Sequence, residues 1–228
     1  MKLVSWNLLR LTGASLSEVV ALVRRERPDV LLMQEATHDI DPLPRHLGGG
    51  YHRVPLPGRV HGLAVWMPNA LPHRPLVMPL PSGTVVHRVA QLIDLGPFSI
   101  ANVHLSHGQL LNRRQLRRIA ARLPHCAAVV GDYNLVGPVL LPGFRDVGPR
   151  RSTHRMSDVL PLRLDRCVVR GLICTEAAVL PKGGSDHRPI TMRLAVADPG
   201  ERQFLEKRRL ADKRMSEVGQ HQPDRRVA

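Results

Sequence analysis

Four apolar runs of strand length in this 228-residue chain each close on a polar or acidic side chain. They are KLVSWN at 2–7, VLLMQE at 30–35, FSIANVHL at 98–105 and AAVVGDYN at 127–134. Runs of this kind suit strands covered on both faces. A carboxylate ending such a strand loses its hydration, which is costly unless that end faces a solvent-filled mouth or a cation. Strands lying side by side and running to one edge would bring Asn7, Glu35, His104, Asp132 and Asn134 together there.

The segments between these runs carry a different rhythm. SLSEVVALVRRERPD, 15–29, places Leu16, Val19, Val20 and Val23 at helical spacing, with a serine to cap it and Pro28 to stop it. GQLLNRRQLRRIAARL, 108–123, repeats that spacing on Leu110, Leu111, Leu116, Ile119 and Leu123. Further strands are expected at GLAVWMP, HRVAQLIDL, LDRCVVRG, CTEAAVL and PITMRLAV, whereas 36–61, rich in His, Pro and Gly, reads as loop. There is no internal repeat and no linker before Asp198. The chain reads as one mixed α/β domain over 1–197 and a charged tail over 198–228. The tail has helical spacing on Phe204, Leu205, Ala211, Met215 and Val218, but too few large apolar residues for a core of its own.

Net charge is +14, from 33 Lys/Arg against 19 Asp/Glu. Residues 199–228 hold eight basic and five acidic groups, so 8 − 5 = +3 belongs to the tail and +11 to the rest. Such an excess favours polyanions, nucleic acid or anionic lipid among them. No stretch approaches the ~18 apolar residues of a membrane helix. Asn7 and Arg10 interrupt the N-terminus too early for a secretory signal, so a cytoplasmic protein is expected. Cys126, Cys167 and Cys174 are odd in number, lack CxxC spacing and sit in apolar segments, as small buried thiols do.

GGSDHRPIT, 183–191, sets Asp186, His187 and Arg188 between two glycines and a proline. An isolated Asp-His at such a spot is ordinarily a solvated turn. Together with the polar strand ends, and with Asp165 in LRLDRC, it becomes part of a set.

SWN, MQE, NVHL, GDYN, RLD and SDHRP, in this order, resemble the endonuclease/exonuclease/phosphatase superfamily, which includes DNase I-like nucleases, abasic-site endonucleases, neutral sphingomyelinases and inositol polyphosphate 5-phosphatases. The resemblance runs from residue 3 to about 196. It implies a DNase I-like fold, a four-layer α/β sandwich of two mixed sheets with helices outside. It also implies a hydrolase of phosphate esters that uses Mg²⁺, with Mn²⁺ as the alternative. By position, Glu35 resembles the principal metal ligand with Asn7 beside it, and Asp186 serves at a metal or water position. Asp132 resembles the carboxylate that orients or deprotonates the attacking water, with Asn134 holding that nucleophile or the phosphate. His187 resembles the catalytic histidine, Asp165 its carboxylate partner, and His104 a donor to a phosphoryl oxygen or the leaving group. Thr153 in RSTHR falls where many members place a hydroxyl or aromatic near the substrate. His154, His107 and the remaining histidines are read as surface residues.

Leu162 stands where abasic-site endonucleases usually carry a tryptophan, and NVHL is the form of the DNase I-like, sphingomyelinase-like and phosphatase members. Aromatic residues make up only 3% of the chain, so stacking platforms for unpaired bases are few, while Arg for a phosphate backbone is plentiful. A nucleic-acid phosphodiesterase is the expectation. Hydrolysis of a phospholipid head group or small phosphorylated metabolite is the alternative, and a catalytically idle nucleic-acid-binding relative is the non-enzymatic one. Oligomeric state is left open.

Overall fold

The computed structural model describes residues 1–82, 87–156, 160–198 and 200. The chain divides into Met1–Val196, treated below, and a second unit from Ala197 onward. The helix expected from Phe204 to Val218 lies outside the described residues.

Ser15 opens α1 (Leu16–Glu26) through a capping box with Glu18, each accepting from the other's backbone N–H. Val19, Val20, Leu22 and Val23 bury one face of that helix against β1 (Lys2–Asn7) and β2 (Val30–Ala36). A helix between two strands lets them pair in parallel, and β1 and β2 do, with Leu3 opposite Val30 and Asn7 opposite Gln34. β7 (Ser99–His104), α3 (Gln109–Ala120) and β8 (Ala127–Asp132) repeat the unit, with His104 opposite Asp132. Two parallel units therefore deliver their polar strand ends in register.

These pairs sit inside two mixed sheets. The first has the order β13 (Leu172–Val179), β14 (Ile190–Val196), β1, β2, β4 (Gly62–Met67), β3 (Gly50–Pro55). The second has the order β5 (Leu76–Pro79), β6 (Val89–Asp94), β7, β8, β12 (Asp165–Arg170), β9 (Arg145–Asp146). β10 (His154–Met156) and β11 (Leu160–Leu162) pair antiparallel as a separate two-stranded sheet. Leu3, Val30, Leu32, Ile100, Ala128 and Val130 fill the space between the sheets. Their neighbours in sequence point outward: Val4, Leu31 and Met33 toward α1, and Ala101, Val103 and Val129 toward α3. This two-residue alternation builds the four-layer sandwich, helix–sheet–sheet–helix.

Two local expectations change. The 36–61 segment contains a one-turn α2 (Leu43–Leu47) and the edge strand β3, which among the described residues pairs only with β4. An edge strand is covered on one side, so GYHRVP remains half-buried and never shows the apolar run that marks an inner strand. In α3, Leu110 is 75% exposed although it fits the apolar rhythm. Asn112 and Gln115 take the buried places, bonding the Tyr133 carbonyl, the Ser106 amide and the Pro81 carbonyl.

Candidate active site

β1, β2, β7 and β8 all end at one edge of the sandwich. β12 runs antiparallel to β8 and starts there, with Asp165 opposite Asp132. β14 runs antiparallel to β1, with Ile190 opposite Ser5, so the 185–188 loop enters at the same edge. That topology collects residues separated by up to 180 positions (187 − 7).

Glu35 is aimed by an irregularity. The β2–β4 pairing slips between Met33 and Ala36, and Glu35 takes a left-handed backbone with φ 55°. A bulge of this kind turns a side chain out of the ladder, and a non-glycine residue at positive φ marks a locally strained position. Among the described residues no hydrogen bond reaches the Glu35 carboxylate; His104 Nδ1 and Arg10 Nε stand 3.9 and 4.0 Å away. Burial raises its pKa, Arg10 opposes that, and the nearby Asp132 charge adds to it.

Asp132 has the opposite surroundings. Its Oδ2 accepts from Asn7 Nδ2 at 2.9 Å and lies 3.5 Å from His104 Nε2 and 3.7 Å from His187 Nε2. Its Oδ1 accepts the Asn134 amide at 2.9 Å. Asn134 sits at φ 48°, a conformation asparagine tolerates better than most residues, and its side-chain amide holds the Leu105 carbonyl at 2.9 Å. Burial raises the Asp132 pKa despite these donors.

His187 Nδ1 lies 2.8 Å from Asp165 Oδ2, and both residues are buried. Burial works against a charged ring, but the carboxylates of Asp165, Asp132 and Asp186 outweigh it and lift the His187 pKa to about 10. The ring is therefore an imidazolium at neutral pH. His104 is the reverse case. Buried, and facing the charges of Arg88 and His187, it is held well below the ordinary imidazole value and stays neutral.

The 183–191 loop is held from several directions. Gly184 donates its amide to Glu18, the Ser185 hydroxyl donates to the Asn7 carbonyl, and Trp6 Nε1 donates to the His187 carbonyl. A Cβ on Gly183 would stand 2.8 Å from the Trp6 ring, so close approach is what requires glycine there.

Thr153 has no exposed surface. Its Oγ1 accepts the backbone N–H groups of Leu164 and Asp165, and its carbonyl accepts from Arg188. The hydroxyl is turned into the protein, where it fixes the start of β12. His154, read as a surface residue, instead packs its ring against His187 with centroids 4.4 Å apart, and its Nδ1 lies 3.6 Å from Asp186 Oδ2. Nothing in RSTHR gives this away, because the contact depends on a backbone bridge between His154 and His187. Arg88 also lies at this edge, because it precedes β6, a strand that starts here and runs antiparallel to β7; no polar strand end marks it in the sequence.

The donor set fits a hard divalent cation: the half-buried Glu35 carboxylate and the buried Asp132 carboxylate, with an amide oxygen at Asn7. Two further groups cluster closely enough to share an ion, Asp132–Asp165–His187 and His154–Asp186–His187. The first is already joined through the Asp165–His187 hydrogen bond.

The sequence model of the Endonuclease/Exonuclease/phosphatase family matches residues 4–187, and the chain belongs to that family. A search of curated proteins finds no match. Among solved structures, an endonuclease/exonuclease/phosphatase from Bacteroides vulgatus is similar with TM-score 0.73 at 15% identity, over 86% of this chain and 98% of that one. Humanized D. rerio TDP2 is similar with TM-score 0.68 at 15% identity, over 86% and 99%. A mannosyl-6-phosphatase from Bacteroides thetaiotaomicron matches equally, with TM-score 0.68 at 15% identity over 86% and 99%. The protein is a phosphoesterase, one of a family of metal-dependent hydrolases acting on phosphate ester bonds. Among the described residues no helix is long and apolar enough to cross a membrane.

Proposed function

We propose that the protein is a cytoplasmic, Mg²⁺-dependent phosphodiesterase that hydrolyses nucleic acid. The observation that carries the reading is the contrast between two carboxylates at one edge: Glu35, reached by no hydrogen bond among the described residues, and Asp132, ringed by donors. In this reading Glu35 and Asn7 hold the cation and Asp186 serves it or its water. Mg²⁺ held there would supply positive charge to offset the phosphoryl oxygens and to acidify a neighbouring water.

The protein's own groups do the rest. Asp132 accepts a hydrogen bond from the attacking water and takes its proton, a role its raised pKa favours. His187, charged and held in orientation by Asp165, donates from Nε2 to a phosphoryl oxygen, where negative charge accumulates in the transition state. The Asn134 side chain keeps the loop after β8 in place. His104, neutral, offers one N–H toward the reacting oxygens.

Nucleic acid is favoured by the net charge of +14 and by the scarcity of aromatic platforms, which points to backbone rather than base recognition. D. rerio TDP2, similar in fold, was solved with a single strand DNA product. The second reading, a phosphorylated sugar or other small metabolite, draws on the equal similarity to the mannosyl-6-phosphatase. The test is a panel of supercoiled plasmid, oligonucleotides, sugar phosphates and sphingomyelin with Mg²⁺ or Mn²⁺, beside EDTA and Glu35→Gln controls. Plasmid nicking lost in both controls is the expected result. Turnover of sugar phosphates alone favours the second reading, choline phosphate release favours a lipid substrate, and DNA binding without turnover of any compound contradicts the enzyme.

A further inference from the structure

We propose that Arg88, with His61 beside it, forms an anion subsite that grips phosphoryl oxygens of the substrate on the Glu35–His104 side of the centre. Arg88 immediately precedes β6. That strand pairs antiparallel with β7, Ala90 opposite Val103, so Arg88 lies at the edge where β7 ends in His104 and β8 in Asp132. Its residue is only 8% exposed, and Leu80 N–H holds its carbonyl at 2.9 Å. Its Nε is buried and has no hydrogen-bond partner among the described residues.

A guanidinium brought this far out of water needs a partner. Among the described residues no salt bridge or hydrogen bond joins its side chain to Glu35, Asp132 or any other carboxylate, so no internal counter-ion is seated on the fork. The second wall of the subsite comes from the other sheet. His61 precedes β4, whose Gly62 pairs with Ala36 just beyond Glu35, and it is 6% exposed. Burial, and then the charges of Arg10, Arg88 and Arg59, lower its pKa and keep the ring neutral, able to donate one N–H. A guanidinium from one sheet and a neutral imidazole from the other, both buried, thus stand at the edge where the polar strand ends gather. A phosphoryl group, with oxygens spaced to receive the arginine fork, completes that arrangement.

The inference rests on the phosphoester reading and adds a residue that binds substrate without touching the cation. The experiment titrates inorganic phosphate into the metal-free full chain, as wild type, Arg88→Gln and Arg88→Lys, with circular dichroism confirming the fold of each. Arg88→Gln is expected to weaken phosphate binding about tenfold or more, and Arg88→Lys to fall between, keeping the charge but losing the fork. Equal affinity in all three overturns the proposal. Should the Gln variant fail to fold, Arg88→Lys decides alone, and phosphate affinity equal to wild type again overturns it. Matched oligonucleotides with a 5′-phosphate or a 5′-hydroxyl then separate the sources. A gain from the 5′-phosphate that Arg88→Gln abolishes assigns the subsite to a terminal phosphate, while an equal loss for both assigns it to an internal one. A wild-type chain that binds phosphate through Arg88 yet cleaves no ester removes the hydrolase reading and keeps the subsite. Cleavage with unchanged KM and phosphate affinity in Arg88→Gln does the reverse.

Discussion

The backbone N–H of Gly184 donates to Glu18 Oε1 at 2.6 Å, across 166 residues of sequence. The other oxygen of the same carboxylate accepts the Ser15 N–H at 2.9 Å and closes the capping box of α1. One side chain therefore starts a helix and tethers the loop bearing Asp186 and His187. Glu18→Ala should lower stability by about 1–2 kcal/mol, from the lost cap and one lost hydrogen bond. Turnover should fall as well, because the loop loses an anchor. Glu18→Gln, which can still close a capping box, should retain more of both. Urea unfolding measured beside kcat checks this; a destabilised Glu18→Ala enzyme with wild-type kcat would show that the tether does not position the loop.

Glu35→Gln separates metal binding from folding. Burial already disfavours the charge on this side chain, and among the described residues no hydrogen bond to it would be lost. The melting temperature should hold or rise, while Mg²⁺ affinity weakens and turnover drops by orders of magnitude. Calorimetric Mg²⁺ titration and a thermal melt on the same sample decide it. Wild-type activity at limiting Mg²⁺ would remove Glu35 from the metal site.

Asn7, Glu35, His104 and Asp132 were legible because each interrupts a pattern: an inner strand should be apolar to its end, and these are not. Asp165 and Asp186–His187 needed the order of motifs along the chain, since an aspartate beginning a strand breaks no rule. β3 was lost because an edge strand has no continuous apolar run. His154 was lost because its place beside His187 is set by a tertiary bridge that no local spacing encodes. Thr153 could be placed near the centre, yet whether its hydroxyl faces substrate or backbone is decided by the Leu164 and Asp165 amides it accepts. Arg88 was not legible because it precedes a strand that starts at this edge, where its neighbour β7 ends.

Removing residues 199–228 takes away eight basic and five acidic groups, a net +3 of the total +14. The shortened protein should keep its cooperative unfolding and its kcat. For nucleic acid, KM should rise, and the slope of log affinity against log salt should become shallower by up to about 3. Loss of cooperative unfolding would show instead that the domain depends on the tail.

The most direct test of the proposed chemistry is kcat against pH for wild type and Asp165→Asn at saturating Mg²⁺. Asp165, Asp132 and Asp186 together lift the His187 pKa to about 10, so the ring is charged below that value and neutral above it. If the imidazolium is the working form, wild-type kcat should fall as pH rises through about 10. Asp165→Asn removes the partner at 2.8 Å and should move that fall to lower pH, slow turnover at the plateau and leave Mg²⁺ affinity nearly unchanged. Superimposable profiles for the two proteins, or a kcat that rises with pH through the same region, would contradict the account.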